Sequence, residues 1–132
     1  MLWVWKTAAS SLFTVGSDIY VPYVPDIMNA YSRSDNPLLI PEVRKDAVTA
    51  SYALYAFLHF HALCYAPFGV EDLWADQPSD LSTEVTDVLK LDPLSFNLNG
   101  TKEILGEVYR LLGEIRPLYL KYRGTQESRL PY

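Results

Sequence analysis

Glu42 closes the run "NPLLIP" and is followed by "VRKD", so a carboxylate stands where an apolar stretch ends. A run of that kind reads as a buried strand. A carboxylate at its end is costly unless it is paired, solvated by a cleft or used for chemistry. Two further stretches end alike: "SDIYVP" presents Asp18 and Tyr20, and "CYAPFGVED" leads into Glu71 and Asp72. Carboxylates so placed can act as nucleophiles or as proton donors and acceptors. Two readings are open for Glu42: a surface carboxylate paired with Arg44 or Lys45, or a nucleophile or acid/base projecting into a cleft. Tyr20 either packs or donates a hydrogen bond that holds a carboxylate ionised. Glu71, after the turn "PFGV", either caps local backbone or points across a shared rim.

Other chemistries find less support. His59 and His61 are two apart, so on a helix they point to different faces and lack the spacing of a metal pair; no metal site is expected. Cys64 lies among apolar neighbours and reads as a buried free thiol. There is no phosphate-cradling glycine loop and no serine elbow.

The elements that must position these residues follow from periodicity and turn chemistry. Residues 2–13 read as the end of a helix, with Trp3, Val4 and Leu12 as candidate core contacts. A short strand over Asp18–Val21 stops at Pro22. Asp26 is placed to cap a helix over "IMNAYSR", and "SDNP" is a turn. "LLIPE" is the second strand, and Asp46 caps an alanine-rich helix over "AVTASYALYAFLHFHA". A third strand lies near 63–66. Leu73–Leu98 is irregular, a length that suits a lid or a functional loop. From Lys102 to about Tyr122, Ile104, Leu105, Val108, Leu111, Leu112, Ile115 and Tyr119 recur at helical spacing, with Pro117 expected to kink or interrupt the helix. Residues 1–123 form one unit and 124–132 a loose tail.

Alternation of short apolar strands with helices predicts an α/β fold with a parallel sheet. The carboxyl ends of parallel strands share one face, so the three acidic strand ends should converge on one rim. A chain of 132 residues, 49% apolar and 20% charged, suits one folded domain. The net charge of −5 argues against nucleic acid or an anionic membrane as a main partner. No uninterrupted apolar stretch reaches the roughly 20 residues of a membrane span. The start carries no charged region followed by a clean apolar one, so no signal peptide is expected.

Taken together, "SDIYVPYV", "SDNPLLIPEVRKD" and "ALCYAPFGVEDL" resemble three consecutive blocks of β-galactosidase-like glycoside hydrolases, family 35 and its relatives, within the retaining (β/α)8-barrel clan. The blocks are similar to that branch's strands six, seven and eight, with Ser17 and Tyr65 as minor departures. The resemblance implies a partial (β/α)8 TIM barrel, with Glu42 as nucleophile and Tyr20 contacting it. Asp18, Arg44, Phe68 and Glu71 would line the sugar subsite of a β-galactoside-like substrate, with no cofactor. The clan's acid/base glutamate, at the end of strand four, has no counterpart segment here. A fragment is therefore expected, inactive alone, whose open sheet edges favour self-association. The alternatives are a non-catalytic α/β remnant that binds carbohydrate or a partner protein, and an unrelated small α/β domain.

Overall fold

The computed structural model describes residues 2–74, 87, 88, 90, 94 and 97–123. Three strands, β1 (Asp18–Ile19), β2 (Leu39–Val43) and β3 (Cys64–Pro67), form a parallel sheet in the order β1-β2-β3. Helices α1 (Leu2–Ala8), α2 (Val24–Tyr31), α3 (Ala47–Leu58) and α4 (Thr101–Tyr122) alternate with them, and a 3-10 turn over Val70–Trp74 follows β3. The expected parallel α/β arrangement is therefore present, with the three strands side by side in chain order. The expected tail, and most of Leu73–Leu98, lie outside the described residues.

The core forms where buried strand residues Ile19, Ile40, Val43 and Tyr65 meet Val24 and Met28 of α2, Ala53 and Ala56 of α3, and Val108 of α4. Small residues on the inner face of α3 let its backbone lie close to the sheet. Asp46 caps it as expected, accepting the Thr49 N–H at 2.7 Å. Along β3 burial alternates: Tyr65 and Pro67 are buried, whereas Cys64 and Ala66 are only half-buried. Cys64 is thus not the fully buried thiol its neighbours suggested, because it sits on the opposite face from Tyr65.

Several boundaries differ for local reasons. β2 runs through Pro41, as "LLIPE" implies, and extends one residue further to Val43. Pro41 has no N–H to donate, and the pairing with β3 slips between Ile40 and Val43. That slip buries both Ile40 and Val43. Gly16 is needed beside it: an added Cβ would sit 3.0 Å from the Pro41 ring and 3.2 Å from the Leu39 carbonyl oxygen. α2 begins two residues before Asp26, with Pro25 in its first turn, so Asp26 lies inside the helix rather than capping it. α3 ends at Leu58, and His61 beyond it takes a left-handed backbone, φ 53°. α4 continues past Pro117.

The core assignments need two corrections. Trp3, Val4 and Leu12 are exposed, because α1 is a short helix with no buried residue. On α4 only Thr101, Leu105 and Val108 are fully buried, since these face α3, whereas Ile104 and Leu111 are exposed.

Asn36, read as a turn residue, holds the entry to the sheet together. It is fully buried; its Oδ1 accepts the Val15 N–H at 2.8 Å, and its Nδ2 donates to the carbonyls of Val15 and Tyr31 at 3.1 and 2.8 Å. Asn36→Ala should destabilise the protein by about 2–4 kcal/mol, because three part-buried backbone groups lose their partner. The check is a lower urea midpoint at an unchanged slope.

Candidate active site

The acidic ends of the first two strands meet. Asp18 pairs in register with Glu42 across β1 and β2, so their side chains leave the sheet on the same side. Tyr20, two residues further on, donates its hydroxyl proton to Glu42 Oε1. The open choice for Tyr20 thus resolves to a hydrogen bond, and the open choice for Glu42 does not resolve to an ion pair with Arg44 or Lys45. Both cations are drawn elsewhere, Arg44 to Asp46 and Lys45 to Asp72. Phe68, just after β3, places its ring edge-on to Tyr20 with centroids 6.4 Å apart.

Burial first, then the hydrogen bond to Glu42, then the charges of Glu42 and Asp18, push the Tyr20 phenol well above the usual tyrosine range. It therefore remains a proton donor throughout the neutral and mildly alkaline range. Glu42 is half-buried and Asp18 exposed, so the pair of carboxylates stands at the edge of solvent rather than in the core. Tyr20→Phe should lower stability by about 1–2 kcal/mol, the range for a partly exposed hydrogen bond to a charged acceptor. Chemical denaturation measures it, and an unchanged midpoint would mean that water replaces the hydroxyl at no cost.

No family model matches this chain, and no curated protein matches its sequence.

Arg44, expected in a sugar subsite, is instead nearly buried, its side chain 7% exposed and bonded through Nε to Asp46. Its backbone N–H continues the sheet by donating to the Ile19 carbonyl at 2.9 Å. The Arg44–Asp46 pair lines a cleft of about 330 Å³ together with Pro22, Tyr52, Asn97 and Asn99. Glu42 and Tyr20 are not among the residues of that cleft. Glu71 is exposed on the 3-10 turn and shares no described hydrogen bond or ion pair with Glu42. Its neighbour Asp72 is the residue that turns inward.

Two structural features near the site escaped the sequence. The Lys45–Asp72 contact, 2.5 Å between Nζ and Oδ2 with Lys45 3% exposed, joins two polar positions 27 residues apart. Nothing in the spacing signals it. The second is the capping and pairing of Asp46 at once, of which only the cap was visible in "KDAVT". His59 stacks on Tyr55 at 4.8 Å, and His61 Nδ1 lies 3.4 Å from the Tyr119 hydroxyl. Among the described residues no group of His, Cys, Asp and Glu is arranged to hold a metal ion. No described helix is long and apolar enough to cross a membrane.

Proposed function

We propose that this chain is the C-terminal part of a retaining β-galactosidase-like (β/α)8 barrel and that Glu42 is its nucleophile. The observation that carries this reading is the Tyr20–Glu42 hydrogen bond at the carboxyl end of the central strand of a parallel sheet. A strand-end carboxylate in a barrel faces the mouth where substrate arrives. Glu42 would attack the anomeric carbon, forming a glycosyl ester as the leaving oxygen departs. Tyr20, which keeps its proton, orients the carboxylate and does not compete as a base. Phe68 offers a half-exposed ring for the apolar face of a sugar, and Asp18 a hydroxyl-binding carboxylate beside it. Glu71 could reach the substrate only from its exposed position, and Arg44, held by Asp46, would contribute to the site by its backbone rather than by its guanidinium.

Two further features support a partial barrel. Cys64 and Ala66 leave the face opposite the helices half-open, where a parallel sheet normally has both faces covered. Ile104, Leu111 and Leu118, spaced by seven on α4, are exposed, which suits burial against a neighbouring β/α unit. The same stripe favours the second reading, a non-catalytic unit that binds a carbohydrate or a partner protein, or associates with itself through its sheet edges.

A retaining mechanism needs a second carboxyl group about 5–5.5 Å from the nucleophile to protonate the leaving oxygen. The test is the nucleotide sequence upstream of Met1, translated in frame. The expected result is a series of further β/α units with a glutamate after an asparagine at the end of the fourth strand. An in-frame stop with no such units would overturn the enzymatic reading in favour of the binding unit.

A further inference from the structure

We propose that the Lys45–Asp72 pair is a positioning device for the candidate site, setting the Phe68–Gly69 turn and through it the ring wall that holds Tyr20 against Glu42. The inference rests on the reading of Glu42 as the working carboxylate, but its experiment reads Tyr20, so either can fail alone.

The turn is fixed at both ends. Its start is tied to β2 by the Phe68 N–H, which donates to the Val43 carbonyl at 2.9 Å. Its other end is Asp72, whose N–H donates to the Gly69 carbonyl at 3.0 Å and whose carboxylate meets Lys45. Lys45 lies two residues beyond Val43, so the backbone bond and the ion pair close a small ring between the β2 exit and the β3 exit. Gly69 sits inside that ring with φ +60°, a left-handed conformation that favours glycine. A Cβ there would lie 3.1 Å from Asp72 Oδ2 and 3.3 Å from Lys45 Nζ. The turn is thus moulded around the ion pair.

The pair does not touch Tyr20 itself. Phe68, the residue before Gly69, carries the effect: its ring stands edge-on to Tyr20, with centroids 6.4 Å apart. A lysine that is 3% exposed demands its counter-ion. The turn therefore cannot drift without stretching the Lys45–Asp72 contact, and Phe68, four residues before Asp72, is constrained with it. Among the described residues, the charged groups that act on the Tyr20 hydroxyl are Glu42 from β2 and Asp18 from β1, and neither belongs to the ion pair.

The full chain labelled with 13Cζ-tyrosine provides the test, by NMR between pH 8 and 11, on the wild type and on Asp72→Asn, Lys45→Met and Phe68→Ala. Tyr65, buried beneath the sheet with its hydroxyl bonded to the Thr49 carbonyl at 2.7 Å, is the internal standard for an intact fold. In the wild type both Tyr20 and Tyr65 should remain un-ionised at pH 11. In all three variants Tyr20 should begin to ionise at a lower pH than in the wild type, though still above the ordinary tyrosine value of about 10 because Glu42 and Asp18 remain beside it, while Tyr65 stays un-ionised. A Tyr20 that responds to Phe68→Ala but not to either ion-pair variant would overturn the proposal. Ionisation of both tyrosines in the ion-pair variants would also overturn it, since the pair would then hold the fold and not the site. A protein that shows the Tyr20 response yet never captures a glycoside would retain the positioning device and lose the glycosidase reading.

Discussion

Glu42→Gln should eliminate covalent capture of an activated 2-fluoro-β-galactoside and, with the complementary β/α units supplied, reduce turnover by about 10⁴-fold or more, as expected when a nucleophile is removed. Glutamine keeps the size of the side chain and an oxygen that can accept from Tyr20, so the hydrogen bond seen in the structure survives the change. What is lost is the negative charge that attacks the anomeric carbon. A dinitrophenolate leaving group departs without protonation, so capture depends on the nucleophile and not on the acid. Unactivated β-galactosides behave differently: they need a proton on the leaving oxygen, and general acid catalysis contributes about 10²–10⁴-fold. The isolated chain should therefore turn over no plain aryl β-galactoside at a useful rate, with or without Glu42. Peptide mapping after capture locates the ester. An adduct on another residue would remove Glu42 from its role. Robust turnover by the isolated wild type that vanishes in the variant would show that a carboxylate within this chain serves as the acid, with Glu71 the first to examine.

The largest effect on stability is expected at Asp46. One of its carboxylate oxygens accepts the Thr49 N–H at the start of α3, and the other meets the Arg44 guanidinium, with both side chains about nine-tenths buried. Truncation to alanine removes a helix cap, about 1 kcal/mol, and breaks a buried ion pair, about 3–5 kcal/mol. A domain of this size has only about 5–15 kcal/mol in total, so Asp46→Ala should lie close to unfolding at 37 °C. Asp46→Asn separates the two contributions. Asparagine caps a helix as well as aspartate does, so this variant should lose only the charge pairing and fall between wild type and alanine. Thermal and urea unfolding of the three proteins checks the order. Equal stability of the asparagine and wild-type proteins would mean that the pairing with Arg44 contributes nothing net.

Much of this architecture was legible in the sequence because it follows from short-range rules. Alternating apolar runs and helical periodicity located the three strands and their order, and "KDAVT" announced the start of α3. The convergence of Asp18, Tyr20 and Glu42 follows from strand polarity alone. What could not be read depends on partners distant in the chain. Asn36 looks like a turn residue, yet its amide serves the backbone at Val15 and Tyr31. Pro41 lies within the strand "LLIPE", but the register slip that accommodates it depends on how β2 pairs with β3. Glu71 and Asp72 are indistinguishable as letters; the geometry of the 3-10 turn sends the second inward to Lys45 and leaves the first in solvent. Likewise the exposed indole of Trp3 and the buried side chain of Val108 are both apolar, and only the packing of helices on the sheet separates them.

The shortness of β1 gives the site a history in time. β2 is flanked by a strand on each side, whereas β1 spans only Asp18–Ile19 and pairs with β2 alone among the described strands. Elements held by few hydrogen bonds open far more often than the strands they flank. Amide exchange should accordingly be quick at Asp18 and Ile19 and slow in β2. Each such excursion carries Tyr20 away and leaves Glu42 standing on a strand that has not moved. The carboxylate and its hydrogen-bond donor thus live on different clocks, and the fraction of molecules with an assembled pair is set by the lifetime of a two-residue strand.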